Sequence, residues 1–335
     1  MTTPAAAART QSQGDASPAP AADGTGRPLS RARAGARRVL ASRRAAAGLA
    51  LLGLLALLAV AGPFVSPWRW DDTDLTAFRA PPSSEHWFGT TQSGRDVFAL
   101  SVRGLRRSLA IGLCVAVLST GLAAAVGTVA GFAGGWTGRC LMWGVDVLLV
   151  LPSFLVVAVL SPLLGGRWPL LVPLLAAFLW MVTARVVRAM TVSLREREYV
   201  LAARFLGVGA PRVIVRHILP HLASLLVVDA SLNVSVAIVT ESGLSYFGFG
   251  VRPPDVSLGT IIADGRGTAT THPWLFGFAA ALLVLVVLAV NLLGDGLRDV
   301  LDPTSSGPAP RTGGRVRRRA RPGNARAHEY GTGPA

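Results

Sequence analysis

PWLFGFAAALLVLVVLAVNLL, residues 273–293, passes from Pro273 to Leu293 without one charged side chain. At ~1.5 Å rise per residue, a helix of this length crosses the ~30 Å hydrocarbon layer of a bilayer. Apolar runs of comparable character lie near 45–65, 108–132, 141–164, 169–186 and 222–240. Lipid offers no hydrogen-bond partner to backbone N–H and C=O groups, so such runs cross it as helices. The expected fold class is therefore an all-α membrane protein of about six transmembrane helices. Composition agrees, with 51% hydrophobic and 15% charged residues among 335.

The net charge of +15 would suggest nucleic acid if it formed one patch on a soluble domain. It is instead concentrated at the two ends and in one central loop, so no nucleic-acid partner is expected and the bilayer is the partner implied. All 33 basic residues are Arg. Without Lys, a phosphate-binding GxxxxGK[ST] loop cannot exist, so the chain is not itself a P-loop ATPase. Cys114 and Cys140 have no CxxC partner and no nearby His. They read as structural thiols, and no metal or other cofactor is expected on this chain.

Residues 1–44 and 304–335 read as disordered basic segments flanking a membrane domain at 45–303, because they lack the apolar periodicity that would offset ordering entropy. The first span follows Arg31, Arg33, Arg37, Arg38, Arg43 and Arg44 and contains Ala59-Val60-Ala61, features of a signal peptide. The span and its leader are both long, which favours an uncleaved helix. With both termini cytoplasmic, the inner segments hold 23 arginines against 9 in the outer ones, as the positive-inside rule requires. Arg103, Arg106 and Arg107 fall on the outer side. Together with Val97, Phe98, Val102 and Leu105 they suggest an amphipathic helix over 96–107 lying in the headgroups.

The long inner loop, 187–221, contains EREYVLAARFLGVGAPRVIVRHILPHL at 196–222. A helix is expected through Phe205, an interruption at Gly207 and Gly209, and a second short helix opened by Pro211 and ended before Pro220. Two such helices fixed to spans on both sides form a body that a cytoplasmic partner can push. An ordinary interfacial hairpin has the same outline.

This loop resembles the EAA loop of ABC-importer permeases, whose pattern is Glu-Ala-Ala, three residues, Gly, nine residues, Ile, one residue, Leu-Pro. Ala202, Ala203, Gly207, Leu219 and Pro220 match it, whereas Leu201 replaces the glutamate and His217 stands at the isoleucine. HWFGTTQSGRDVF at 86–98 is similar to the HxFGTDxxGRDV signature of the dipeptide, oligopeptide and nickel branch, with Thr91 in place of aspartate. VDVLLVLPSFLVV at 145–157, ESGLSYFGFGVRPPDVSLGTIIADGR at 241–266 and NLLGDGLRDVLDP at 291–303 resemble further stretches of that branch. The resemblance covers roughly 45–303.

What it implies is a type I importer permease fold in the cytoplasmic (inner) membrane. The chain would be one permease subunit beside a second, homologous one, two cytoplasmic ATPases that use the ATP, and an external solute-binding protein. Ala202, Ala203, Gly207, Pro211, Arg212, His217, Leu219 and Pro220 would couple it to the ATPases. Peptides, nickel complexes, opines or sugars all remain open as the solute.

Asp229 and Asn233 lie four apart on one face of the fifth span. They form either a helix–helix hydrogen bond or, with Glu241, part of the wall of a solute pathway. Asp146 and Asn291 are closer to span ends, where packing or capping suffices. His86, His272 and Glu241 are read as outer-loop residues without metal-ligand spacing. No Ser, His and Asp set converges by sequence, so an enzyme is not indicated. A secondary transporter, or another polytopic protein not driven by ATP, is the alternative; it would be expected to carry inverted repeats and broken spans, and neither is evident in the sequence.

Overall fold

The computed structural model describes residues 42–301; the expectations for the basic ends fall outside them at residues 1–41 and 302–335. Every regular element among the described residues is a helix, and one isolated bridge pairs Thr90 with Asp96. Four helices are long and apolar enough to cross a membrane, and two bent pairs raise the number to six. The all-α membrane class is thereby borne out.

Helix α1, Arg43–Val65, starts at Ser42, whose hydroxyl accepts from the Ala45 N–H. It lies along the last helix, α11 (Trp274–Leu301). Helix α2, Val97–Ala133, is capped by Asp96, whose Oδ1 accepts from the Ala99 N–H at 2.7 Å. This helix is the axis of the molecule, packed against α1 and against most of the helices that follow it.

The stretch 96–107, expected as a separate headgroup helix, forms the opening turns of α2. Its apolar side chains Val97, Val102 and Leu105 are buried against protein. The arginines find partners there as well. Arg103 lies 4.9 Å over the Trp70 ring, and Arg107 lies 4.7 Å over Trp168 while donating to Asp255 at 2.8 Å.

The third and fourth runs are both broken. Helices α3 (Gly135–Val150) and α4 (Ser153–Leu163) meet at 83° across Leu151-Pro152. Proline forces the residue before it out of the helical region, and Leu151 is extended at φ −72°, ψ 128°. Helices α5 (Trp168–Leu179) and α6 (Met181–Arg195) meet at 47° around Trp180. Then follow α7 (Glu198–Phe205), the single turn α8 (Ala210–Val213), a π turn at Ile214–Ile218, α9 (Leu219–Tyr246) and the short α10 (Leu258–Gly265).

The two ends of α2 orient everything else. Near its start, α10 is wedged so close that a Cβ on Gly104 would touch the backbone of Ser257 and Leu258. At its other end, Phe132 packs into a cluster with Val200, Val213, Ile218 and Leu222. Residues 66–96 and α10 therefore occupy one end of the bundle, and α7 and α8 the opposite end.

Candidate functional site

At the α7–α8 end, the chain turns from Phe205 to Ala210 through a left-handed residue. Gly207 has φ +78°. Its N–H donates to the Arg204 carbonyl at 2.9 Å, and the Val208 N–H reaches back to Ala203 at 3.1 Å. This pair of bonds closes the last turn of α7 as a Schellman motif, which glycine favours because it has no Cβ to clash at positive φ. Gly209 then precedes α8, with Pro211 in its first turn, where the missing N–H costs nothing.

The second helix was expected to end before Pro220. It does not: α8, the π turn and α9 run on as one helix from Ala210 to Tyr246. A proline inside an α-helix collides with the carbonyl four residues earlier. Here the wider π turn precedes it, with the Leu219 N–H bonded to the Ile214 carbonyl five residues back. The turn has a second effect. Its extra residue brings Ile218, rather than Arg216 or His217, into line with Val213, and Leu222 continues the buried row.

That row, with Val187 of α6 and Val200 and Ala203 of α7, makes one apolar cluster fixing α7 and α8 to both neighbouring spans. The outer surface of this body is open. Phe205 and Leu206 are 88% and 83% exposed. Pro211, Arg212, Val215, Arg216 and Pro220 line a shallow hollow beside them. Of the residues singled out from the sequence, Ala202, Gly207, Pro211, Arg212 and Pro220 are exposed here, Ala203 is buried, and Leu219 and His217 are half-buried. Tyr199 reaches His217 at 6.4 Å between ring centres and stacks on His221 at 5.4 Å.

In mid-bundle, Asp229 of α9 is held by three hydrogen bonds. Thr183 of α6 donates to its Oδ1 at 2.7 Å, and Asn233 Nδ2 and Thr120 of α2 donate to its Oδ2 at 2.9 and 3.3 Å. Asn233 is buried. Sequence spacing pairs Asp229 with Asn233, but the two threonines belong to other helices and only the packing brings them in. Both carboxylate oxygens are thus used in tying α2, α6 and α9 together. Asp229→Asn, which keeps one acceptor and adds a donor the threonine hydroxyls can receive, is expected to leave assembly and solute uptake within about twofold of wild type, since such membrane hydrogen bonds average ~0.6 kcal/mol. Uptake normalised to assembled complex is the measurement. A large loss with full assembly would place the carboxylate in the solute path.

Glu241 was expected in an outer loop. It lies within α9 and has no solvent-exposed surface. Ser245 donates to its Oε1 at 2.6 Å and Ser108 of α2 to its Oε2 at 3.4 Å. Ser108 in turn accepts the Leu258 N–H at 3.2 Å, and Ser245 accepts the Val251 N–H at 3.1 Å. The polar run ESGLS reads as a loop because its side chains are hydrophilic. Those side chains seat α10 instead.

The segment before α2 has its own polar centre. His86 is 2% exposed, with Nδ1 3.0 Å from Asp96 and Nε2 3.5 Å from Asp74, and Trp68 stacks on its ring. Thr91, which stands at the signature's aspartate, accepts from the Ser93 and Arg95 N–H groups at 3.3 and 3.0 Å. A hydroxyl can serve in such a turn as a carboxylate does. No group of three His, Cys, Asp or Glu suited to a metal occurs among the described residues.

The described residues thus form a bundle of membrane-crossing helices with an exposed two-helix body fixed to two of them at one end. Comparison with known proteins gives the family. Residues 123–306 match the family described as binding-protein-dependent transport system inner membrane component, and residues 30–82 match the N-terminal TM domain of oligopeptide transport permease C. The chain is 52% identical over 271 residues to the oligopeptide transport system permease protein OppC of Mycobacterium tuberculosis, covering 80% of this chain and 93% of that one. It is 36% identical over 266 residues to the OppC of Bacillus subtilis, covering 79% and 87%. The chain belongs to the family of binding-protein-dependent transport system inner membrane components. It is a multi-pass transport subunit of the inner membrane, not an enzyme.

Proposed function

We propose that this chain is one permease subunit of an ATP-driven peptide importer, coupled to cytoplasmic ATPases through the loop 187–221. The observation that carries this reading is the rigid body of α7 and α8. Exposed Phe205 and Leu206 and the hollow at Pro211–Pro220 offer a partner an apolar knob beside a basic rim, while the buried cluster fixes both to α6 and α9. Push on this body and the two spans must move with it. A switch in access across the membrane then follows from rigid-body tilt. A second, homologous permease would complete the path, two ATPases would supply the force and use the ATP, and a solute-binding protein would dock at the end formed by residues 66–96 and α10. The chain itself binds no cofactor in this reading. The names of its relatives, oligopeptide transport permeases, support peptides over nickel complexes.

The reading requires α7 and α8 to be cytoplasmic and residues 66–96 external. With Cys114 and Cys140 replaced, a membrane-impermeant thiol reagent is expected to reach Ala210→Cys only from the cytoplasmic side and Glu85→Cys only from outside. The reverse pattern would remove both the topology and the coupling role.

A further inference from the structure

A charged pair lies in the membrane domain on a face that the rest of this chain leaves open. Arg185 of α6 donates through both Nε and Nη2 to a single oxygen, Oδ1 of Asp146 on α3. Among the described residues, Asp146 Oδ2 and Arg185 Nη1 have no hydrogen-bond partner. The two side chains are 54% and 52% exposed. Arg185 is ten residues before Arg195, the end of α6 at the α7–α8 side. Its neighbour Ala184 abuts Gly127, inside the apolar run 108–132, and Thr183 donates to Asp229, inside the run 222–240, so the pair is level with apolar stretches of both neighbouring spans. Charged side chains at such a level almost always face protein or a water-filled cavity, not lipid tails.

A second observation coincides with it. Asp146 lies five residues before the Leu151-Pro152 break, and Arg185 five residues after the break at Trp180. Broken helices leave backbone groups without helical partners, and within a membrane this is tolerated where they are buried in protein or line a water-filled cavity. The back of this wall is fully packed: Val145, Met142 and Met181 form one buried cluster with Ala130, and Thr183 reaches inward to Asp229. Only the front is open, and there the pair presents one unused acceptor beside one unused donor.

We propose that this face of α3 and α6 lines the solute path and that Asp146 and Arg185 form a subsite for the charged ends of a peptide. Either Arg185 Nη1 donates to the peptide's carboxylate or Asp146 Oδ2 accepts from its ammonium group, one end at a time. The subsite rests on the peptide-import reading; the assignment of the face to the path does not.

The test uses the complete transporter in proteoliposomes, with Cys114 and Cys140 replaced and Val182→Cys added. Val182 is 64% exposed and lies one turn before Arg185. A water-soluble methanethiosulfonate is expected to label this thiol, and tetra-alanine with free ends to slow the labelling, whereas N-acetyl-tetra-alanine amide does not. The paired neutral variant Asp146→Asn with Arg185→Gln keeps a side-chain hydrogen bond between the helices. It is expected to assemble normally while the KM for tetra-alanine uptake rises about tenfold, the loss of one charge-assisted contact. No labelling of Val182→Cys in the assembled complex would overturn the proposal, showing the face covered by lipid or by the partner permease. Unchanged KM in the neutral pair would overturn the subsite and leave a structural tie. Labelling of Val182→Cys in a complex that takes up no peptide would instead overturn the peptide reading, with the face still assigned to the path.

Discussion

Gly207→Val abolishes transport while leaving insertion into the membrane intact; this is the expected result, and its cause is conformational. A Cβ at Gly207 would meet no neighbour within 4 Å, so crowding is not involved. The backbone at φ +78° is the obstacle. An L-residue in the left-handed region costs ~1–2 kcal/mol, and a β-branched one more. The strain is relieved by opening the Schellman turn, which frees α8 from α7 and displaces the exposed Phe205-Leu206 tip. Copurification of the ATPases with the variant should fall at least about tenfold, the factor that ~1.4 kcal/mol represents. Gly207→Asn supplies the control, because Asn tolerates positive φ. It should retain most of the transport. Full activity in the valine variant would remove the turn from the coupling role.

Gly94→Ala is expected to have the largest effect on folding at the opposite end. Gly94 has φ +75°, and a Cβ there would stand against the carbonyl oxygen of Asp74. The same two residues exchange a backbone bond, Asp74 N–H to Gly94 O at 2.9 Å. Left-handed strain and the lost hydrogen bond together amount to roughly 2–3 kcal/mol before any steric overlap is counted. Residues 66–80 should peel from the motif, detaching Asp74 from His86. Limited proteolysis of the purified protein should cut the variant within residues 66–96 while wild type resists. Resistance equal to wild type would mean that the segment adjusts freely.

The same centre has a pH dependence of defined sign. The Thr76 hydroxyl and N–H, with His86 behind them, hold the Asp74 carboxyl below its usual range. Its contribution is therefore present above the ordinary carboxylate pKa of ~3.9 and is lost as pH falls through the lowered folded value. Protease resistance of residues 66–96 in wild type should decline on acidification in that window, and in Asp74→Asn it should not.

Hydropathy made the class legible because it measures how well a segment suits lipid. It does not measure whether the helix is continuous. The run 141–164 is apolar but for Asp146 and two serines, yet it turns by 83° at Leu151-Pro152, and the proline was the available sign. Nothing comparable marks the bend at Trp180. Glu241 was misplaced for the same reason in reverse, since a hydrophilic run was taken to lie outside the membrane helix although its polar groups satisfy one another under α10. The glycine bend between α7 and α8 was legible from Gly207 and Gly209. The π turn was not, because no residue type encodes it; the register shows only when Val213, Ile218 and Leu222 are found on one face.

That turn also sets a phase. Each residue of an α-helix advances the chain by ~100° around its axis. The one additional residue in Ile214–Ile218 therefore decides which compass direction the α7–α8 body takes relative to α9. Deleting a single residue there would turn the two ends to different quarters and break the buried row of Val213, Ile218 and Leu222, so tolerance to insertions and deletions should change abruptly at this turn even though its side chains are ordinary.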